Sequence, residues 1–108
     1  MRTDNQTRKQ YRAIGHKLHP LVIISNGLSD NITAEINRAL NDHELIKIRV
    51  IVADKEEKAA LISSICTTSG AELIQLAGHI ALIYRKARKV KPELSNLHRF
   101  KVLLDGNA

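Results

Sequence analysis

The stretch Leu45-Ile46-Lys47-Ile48-Arg49-Val50-Ile51-Val52 decides how the rest of the chain is read. Ile46, Ile48, Val50 and Val52 alternate with Lys47 and Arg49. That period of two belongs to a strand with one buried face and one open, cationic face. The flanking segments must supply what covers the buried face. Upstream, Leu21-Val22-Ile23-Ile24 is a short apolar run consistent with a second buried strand. Between the two, Leu28, Ile32, Ile36, Ala39 and Leu40 recur at helical spacing, with Ser29 or Asp30 as the N-cap. Ser25-Asn26-Gly27 is the turn into that helix, with Gly27 free to take positive φ.

Downstream, Asp54-Lys55-Glu56-Glu57 has capping-box spacing and predicts a third helix. Its inner residues are Leu61, Ile62, Ile65 and Cys66, and Gly70 closes it. Glu72–Ala77 and Ile80–Tyr84 read as two strands joined across Gly78-His79. Ahead of all these, residues from about Asp4 to Leu18 have helical spacing, and Pro20 ends the helix. On it Tyr11, Ile14 and Leu18 form one stripe, while Arg8, Arg12, His16 and His19 form a neighbouring, basic one. The order is α-β-α-β-α-β-β. Helical crossovers favour parallel pairing and the last hairpin is antiparallel, so the expected fold is α/β, with a four-stranded mixed sheet packed by helices. Lys91-Pro92 marks a break, after which residues 93–104 form a weak amphipathic helix or stay loose.

Charge is distributed unevenly. Residues 1–19 hold five Lys and Arg against Asp4 alone, and residues 84–108 hold seven against Glu93 and Asp105. The middle carries five basic and eight acidic residues, so the net +6 comes from the two ends. Such clustering suits a polyanion gripped from two sides, whereas a charge serving only solubility is scattered. Tyr11, Tyr84 and Phe100 are the only aromatics, which argues against a surface that stacks many unpaired bases. With 108 residues, 44% of them apolar, the chain is sized for one aliphatic core. Cys66 is the only cysteine, excluding an intrachain disulfide and a Cys-based zinc site. The first twenty residues lack a signal-peptide core, and no apolar run reaches membrane-spanning length, so a cytoplasmic protein without membrane association is expected.

Catalytic and metal patterns are weak. His16 and His19 lie three apart, but no nearby carboxylate or Cys completes a metal site on that cationic stripe. Ser63 and Ser64 have no glycine elbow around them. No metal, no cofactor and no catalytic constellation is expected, hence no enzyme. The Ser25–Ser29 turn has two readings. Its backbone N–H groups and the helix dipole suit a phosphate oxygen, or it is an ordinary β-to-α turn needing Gly27 for geometry.

Three blocks carry more information together: Gly15-His16-Lys17-Leu18-His19-Pro20; then Asn26-Gly27-Leu28-Ser29 leading to His43-Glu44-Leu45-Ile46-Lys47-Ile48-Arg49; then Gly78 with Leu82-Ile83-Tyr84-Arg85. In order and spacing the chain resembles the CRM domain (chloroplast RNA splicing and ribosome maturation), most closely its stand-alone bacterial YhbY-like form. The resemblance runs from about residue 6 to 86, so residues 1–86 are expected to form the domain and 87–108 a basic extension, partly flexible or a short helix. It implies a fold like the C-terminal domain of bacterial translation initiation factor three with an added N-terminal helix. It also implies RNA binding without catalysis, and association with ribosomal RNA of precursor large subunits.

The family contacts RNA through a Gly-x-x-Gly loop and the basic surface around it. Gly27 matches the second glycine, but Ile24 stands where the first belongs, and the segment from Pro20 to Gly27 is one residue short. The expected RNA-contacting residues are Arg8, Lys9, Arg12, His16, Lys17, Asn26, Gly27, Lys47, Arg49, Arg85, Lys86, Arg88 and Lys89, on a monomer that reads backbone and shape. A rival reading is a protein-interaction module whose basic ends dock on an acidic protein. Another is an RNA-modifying or RNA-cleaving enzyme using His16 or His43.

Overall fold

Eight elements follow one another in a computed structural model that describes residues 3–25 and 27–101. They are α1 (Asn5–Gly15), β1 (Pro20–Ile24), α2 (Asp30–His43), β2 (Leu45–Val50), α3 (Lys55–Ser69), β3 (Glu72–Ala77), β4 (Ile80–Tyr84) and α4 (Asn96–Arg99). The strands form one mixed sheet in the order β1-β2-β4-β3. β1 runs parallel to β2, with Val22 opposite Ile48 and Ile24 opposite Val50. β4 lies antiparallel between β2 and β3, pairing Ile83 with Ile46 and Ala81 with Leu76. The α/β architecture expected from the alternating pattern is the one observed.

Strand alternation divides the apolar residues between two layers. Val22, Ile24, Ile46, Ile48, Val50, Ala81 and Ile83 pack with Ile36 and Leu40 of α2 and Ile62 and Ile65 of α3. The other face puts Leu45, Ile74 and Leu82 against Tyr11 and Ile14 of α1, with Leu97 and Phe100 closing the cluster from the C-terminal side. Each large aliphatic chain fully withdrawn from water here contributes about 1.5–3 kcal/mol. Ile32, Ala39, Leu61 and Cys66 pack at the margin of the first layer, on the helix faces their spacing predicts, and Leu28 joins them from the turn before α2 rather than from the helix itself.

Caps follow the local chemistry. Ser29 Oγ accepts from Ile32 N at 3.2 Å, which makes Ser29 rather than Asp30 the N-cap of α2. Asp54 accepts from Glu56 N at 2.9 Å and starts α3, which ends at Gly70. α1 stops at Gly15, three residues before the expected end. Lys17 N bonds Ile14 O (2.8 Å) and Leu18 N bonds Gly15 O (3.1 Å), tightening the last turn before Pro20 enters β1. A Cβ on Gly15 would lie 2.8 Å from Leu82 Cδ2, so the helix end sits tightly against β4. β2 likewise ends at Val50, before the expected Val52. Residues 93–101 hold the short helix α4; residues 102–108 lie outside the described residues.

Candidate nucleic-acid interface

The corner between α2 and β2 organises the surface. Glu44 leaves the helix with φ of 62°; its N–H donates to Leu40 O and its carbonyl accepts from Arg85 N. Its side chain is buried. One carboxylate oxygen accepts from Ala87 N and the other from Ser95 Oγ, each at 2.8 Å. Neighbouring residues extend the grip. Asn96 Nδ2 donates to Leu45 O at 2.6 Å, and His43 Nδ1 donates to Leu94 O at 2.8 Å. Lys91 pairs with Asp42. The hydrogen bond from Lys91 holds the Asp42 carboxyl below its usual range. Four consecutive residues, 42–45, thus strap the segment from Ala87 to Asn96 onto the body.

The strap brings the two basic ends together. α4 packs on α1 and on β2. Beside them, between the segment joining α1 to β1, strand β2 and α4, opens a cleft of about 170 Å³, in which Lys17 and His19 meet Lys47 of β2 and Arg99 of α4. Leu18, Leu21 and Phe100 supply apolar walls, and none of the described lining residues is acidic. Beyond the cleft, the same sheet face stays open along β1 and β2. There exposed Ile23 lies opposite exposed Arg49, the outward partner of Lys47.

The remaining expected residues fall elsewhere. Arg8 turns toward β3. Its Nη1 donates to Glu72 Oε2 at 2.6 Å, and its Nη2 donates to the Leu73 and Ile74 carbonyls at 3.0 Å. That guanidinium docks the helix. Lys9, His16 and Lys17 are exposed on and just after α1, and Arg12 is half-buried. Arg85 donates to Asn37 Oδ1 (2.8 Å), Asn37 O (3.1 Å), Ser69 O (2.7 Å) and Asn41 Oδ1 (2.8 Å), joining β4 to α2 and α3. Burial lowers its pKa from the usual value. Lys86 and Arg88 join it around a second, wider hollow beside Asn37 and Asn41. Lys89 is exposed on the strap.

Asn26 lies outside the described residues. Gly27 has φ of 85°, and a Cβ there would meet no protein atom within 4 Å. The glycine therefore serves the backbone turn rather than a packed contact. Asp30 occupies the first turn of α2 and competes with any anion for the positive helix end. Ile24 is 1% exposed within β1, so that position belongs to the core and not to a ligand-facing loop.

Glu44, Asn96, Arg99 and Phe100 escape sequence reasoning. Ser95-Asn96 after Lys91-Pro92 carries an N-cap signal, but a bond spanning 51 residues leaves no local trace.

Comparison with known proteins agrees with this geometry. Residues 4–85 match the CRS1 / YhbY (CRM) domain profile. A Pseudomonas aeruginosa protein named a probable RNA-binding protein is 43% identical over 101 residues, covering 93% of this chain and 97% of its own. A Haemophilus influenzae protein named an RNA-binding protein is 40% identical over 96 residues, covering 87% and 97%. The solution structure of a Staphylococcus aureus hypothetical protein, described there as a candidate RNA binder, superposes with a TM-score of 0.72 at 28% identity, covering 88% of this chain and 98% of that one. A match over most of the chain, with its order of elements realised in three dimensions, places this protein in the CRS1 / YhbY (CRM) domain family.

Proposed function

We propose that this protein is a monomeric, non-catalytic RNA-binding factor of the cytoplasm, acting on ribosomal RNA in precursors of the large ribosomal subunit. The observation that carries the reading is the convergence of Lys17, Lys47 and Arg99, from three distant parts of the chain, on one cleft with no acidic lining among the described residues. Arg49 extends the cationic surface along β2, and Lys9, Arg12 and His16 add positive or polar side chains on α1 and at its C-cap. Lys86, Arg88 and Lys89 add long-range attraction from the strap side. The Gly27 turn, at the far end of β1, is the weakest part of this surface, because Asp30 already occupies the positive end of α2. Arg8 and Arg85 hold elements together, and their role in binding is indirect. The names of the relatives as RNA-binding proteins support the ligand class.

Replacing Lys47 and Arg49 together by Glu tests the site. RNA affinity should fall across unrelated sequences, and the salt slope should become shallower by about two, one per lost phosphate contact. Unchanged affinity with the fold intact removes this face from the site. Sedimentation of cell extract tests the cellular role. At low salt the protein should travel with precursor large subunits, and at high salt it should be released. A protein found only in the free fraction at low salt contradicts the assembly role. Association that survives ribonuclease favours an acidic protein partner instead.

A further inference from the structure

The cleft is more than a cationic surface, because part of its wall is apolar, built by Leu18 and Leu21 of the matched domain and by Phe100 beyond it. Phe100 and Arg99 reach it only because the buried carboxylate of Glu44 and the side chain of Asn96 fasten the strap. Arg99 is itself held in place: its Nη1 donates to Asn96 Oδ1 at 3.1 Å, and its guanidinium lies 5.5 Å from the Phe100 ring centroid. Tyr11 and Tyr84 pack on each other, ring centroids 5.0 Å apart, and it is Phe100 that lines the cleft, together with the imidazoles of His19 and His43.

A paired helix turns its bases inward and presents phosphates on a convex surface, which gains nothing from a concave apolar wall. An unpaired nucleotide offers a free base face and a phosphate a few ångströms apart, and this cleft offers partners for both. We infer that the cleft between the segment joining α1 to β1, strand β2 and α4 is a pocket for one unpaired nucleotide of the bound RNA, its base against Leu18, Leu21 and Phe100 and its phosphate among Lys17, Lys47 and Arg99. The inference rests on the RNA-binding reading above and narrows it to structured RNA carrying a bulge or a junction. The protein then reads one position of a helix by its lack of pairing and the rest by charge. Because the strap is bonded in place before RNA arrives, little ordering accompanies binding.

The test compares two hairpin RNAs with the same stem, one fully paired and one with a single bulged nucleotide, by fluorescence anisotropy at fixed salt. The intact protein should prefer the bulged hairpin by about tenfold, the usual size of one base–ring contact. Phe100→Leu and Leu21→Ala should each cut that preference to about twofold or less, read as the ratio of the two hairpin affinities measured for the same variant. Leu21 is 48% exposed, so its truncation tests the cleft even where Phe100→Leu disturbs the core. Equal affinity of the intact protein for both hairpins, or a preference that persists in both variants, overturns the pocket while leaving RNA binding standing. Binding to neither hairpin overturns both readings.

Discussion

At Glu44 a long side chain occupies a sparsely populated backbone conformation that costs an L-residue about 1–3 kcal/mol, and two bonds of its buried carboxylate offset that cost. The compensation can be measured. Glu44→Ala keeps the unfavourable backbone and leaves Ala87 N and Ser95 Oγ without partners, so it should destabilise the fold by about 2–4 kcal/mol. Glu44→Gly loses the same bonds but relieves the backbone, so it should be the milder change by about 1 kcal/mol. Urea midpoints of the two variants decide the matter, and a Gly variant less stable than the Ala variant shows that the backbone conformation is not costly here. The His43-Glu44-Leu45 block is thereby explained: each of its three residues holds part of the strap.

At the scale of the element, α1 depends on a polar anchor as much as on Tyr11 and Ile14. Burial raises the Glu72 pKa, but bonds from Thr3 N (2.9 Å) and Thr3 Oγ1 (2.8 Å), together with Arg8, outweigh it and leave the carboxyl below its ordinary 4.5. A carboxyl with a lowered folded pKa stabilises fully above its unfolded value and loses that contribution as pH falls through the folded one. Glu72→Gln should therefore be less stable than the parent protein at neutral pH, by roughly 1 kcal/mol for so accessible a pair. The difference should shrink below about pH 4.5, where the parent loses the charge the variant never had. Denaturation at neutral and acid pH checks this, and a gap of constant size refutes the assignment. The early end of α1 has a similar origin in packing. Helical spacing continues to Leu18, but contact of Gly15 with Leu82 and the turn into β1 end the helix first.

For the molecule as a whole, electrostatics dictates how RNA affinity responds to salt. With about six phosphates neutralised, affinity should fall by roughly three decades between 50 and 200 mM salt, on the scale of duplex DNA. Titration across that range tests it, and a nearly flat response shows that the basic residues do not contact phosphate. The binding should be sensitive to Lys17, Lys47 and Arg99 out of proportion to their number. They share one cleft, whereas Arg8 and Arg85 are engaged within the protein.

The α/β order, the buried strands, a cap at Ser29 or Asp30, the cap at Asp54 and the cationic face of Lys47 and Arg49 were legible in the chain. Each depends on residues a few positions apart, through a strand's period of two, a helix's period of 3.6 and bonds within one turn. Which arginines remain free, where the basic tail comes to rest, and that Phe100 meets Lys17 were decided only by tertiary structure. Those outcomes depend on hydrogen bonds and contacts between residues tens of positions apart, such as Ser95 with Glu44 and Arg8 with Glu72. A charged side chain reads the same in sequence whether it faces water or a buried carbonyl. Its partner appears only when the chain has closed around it.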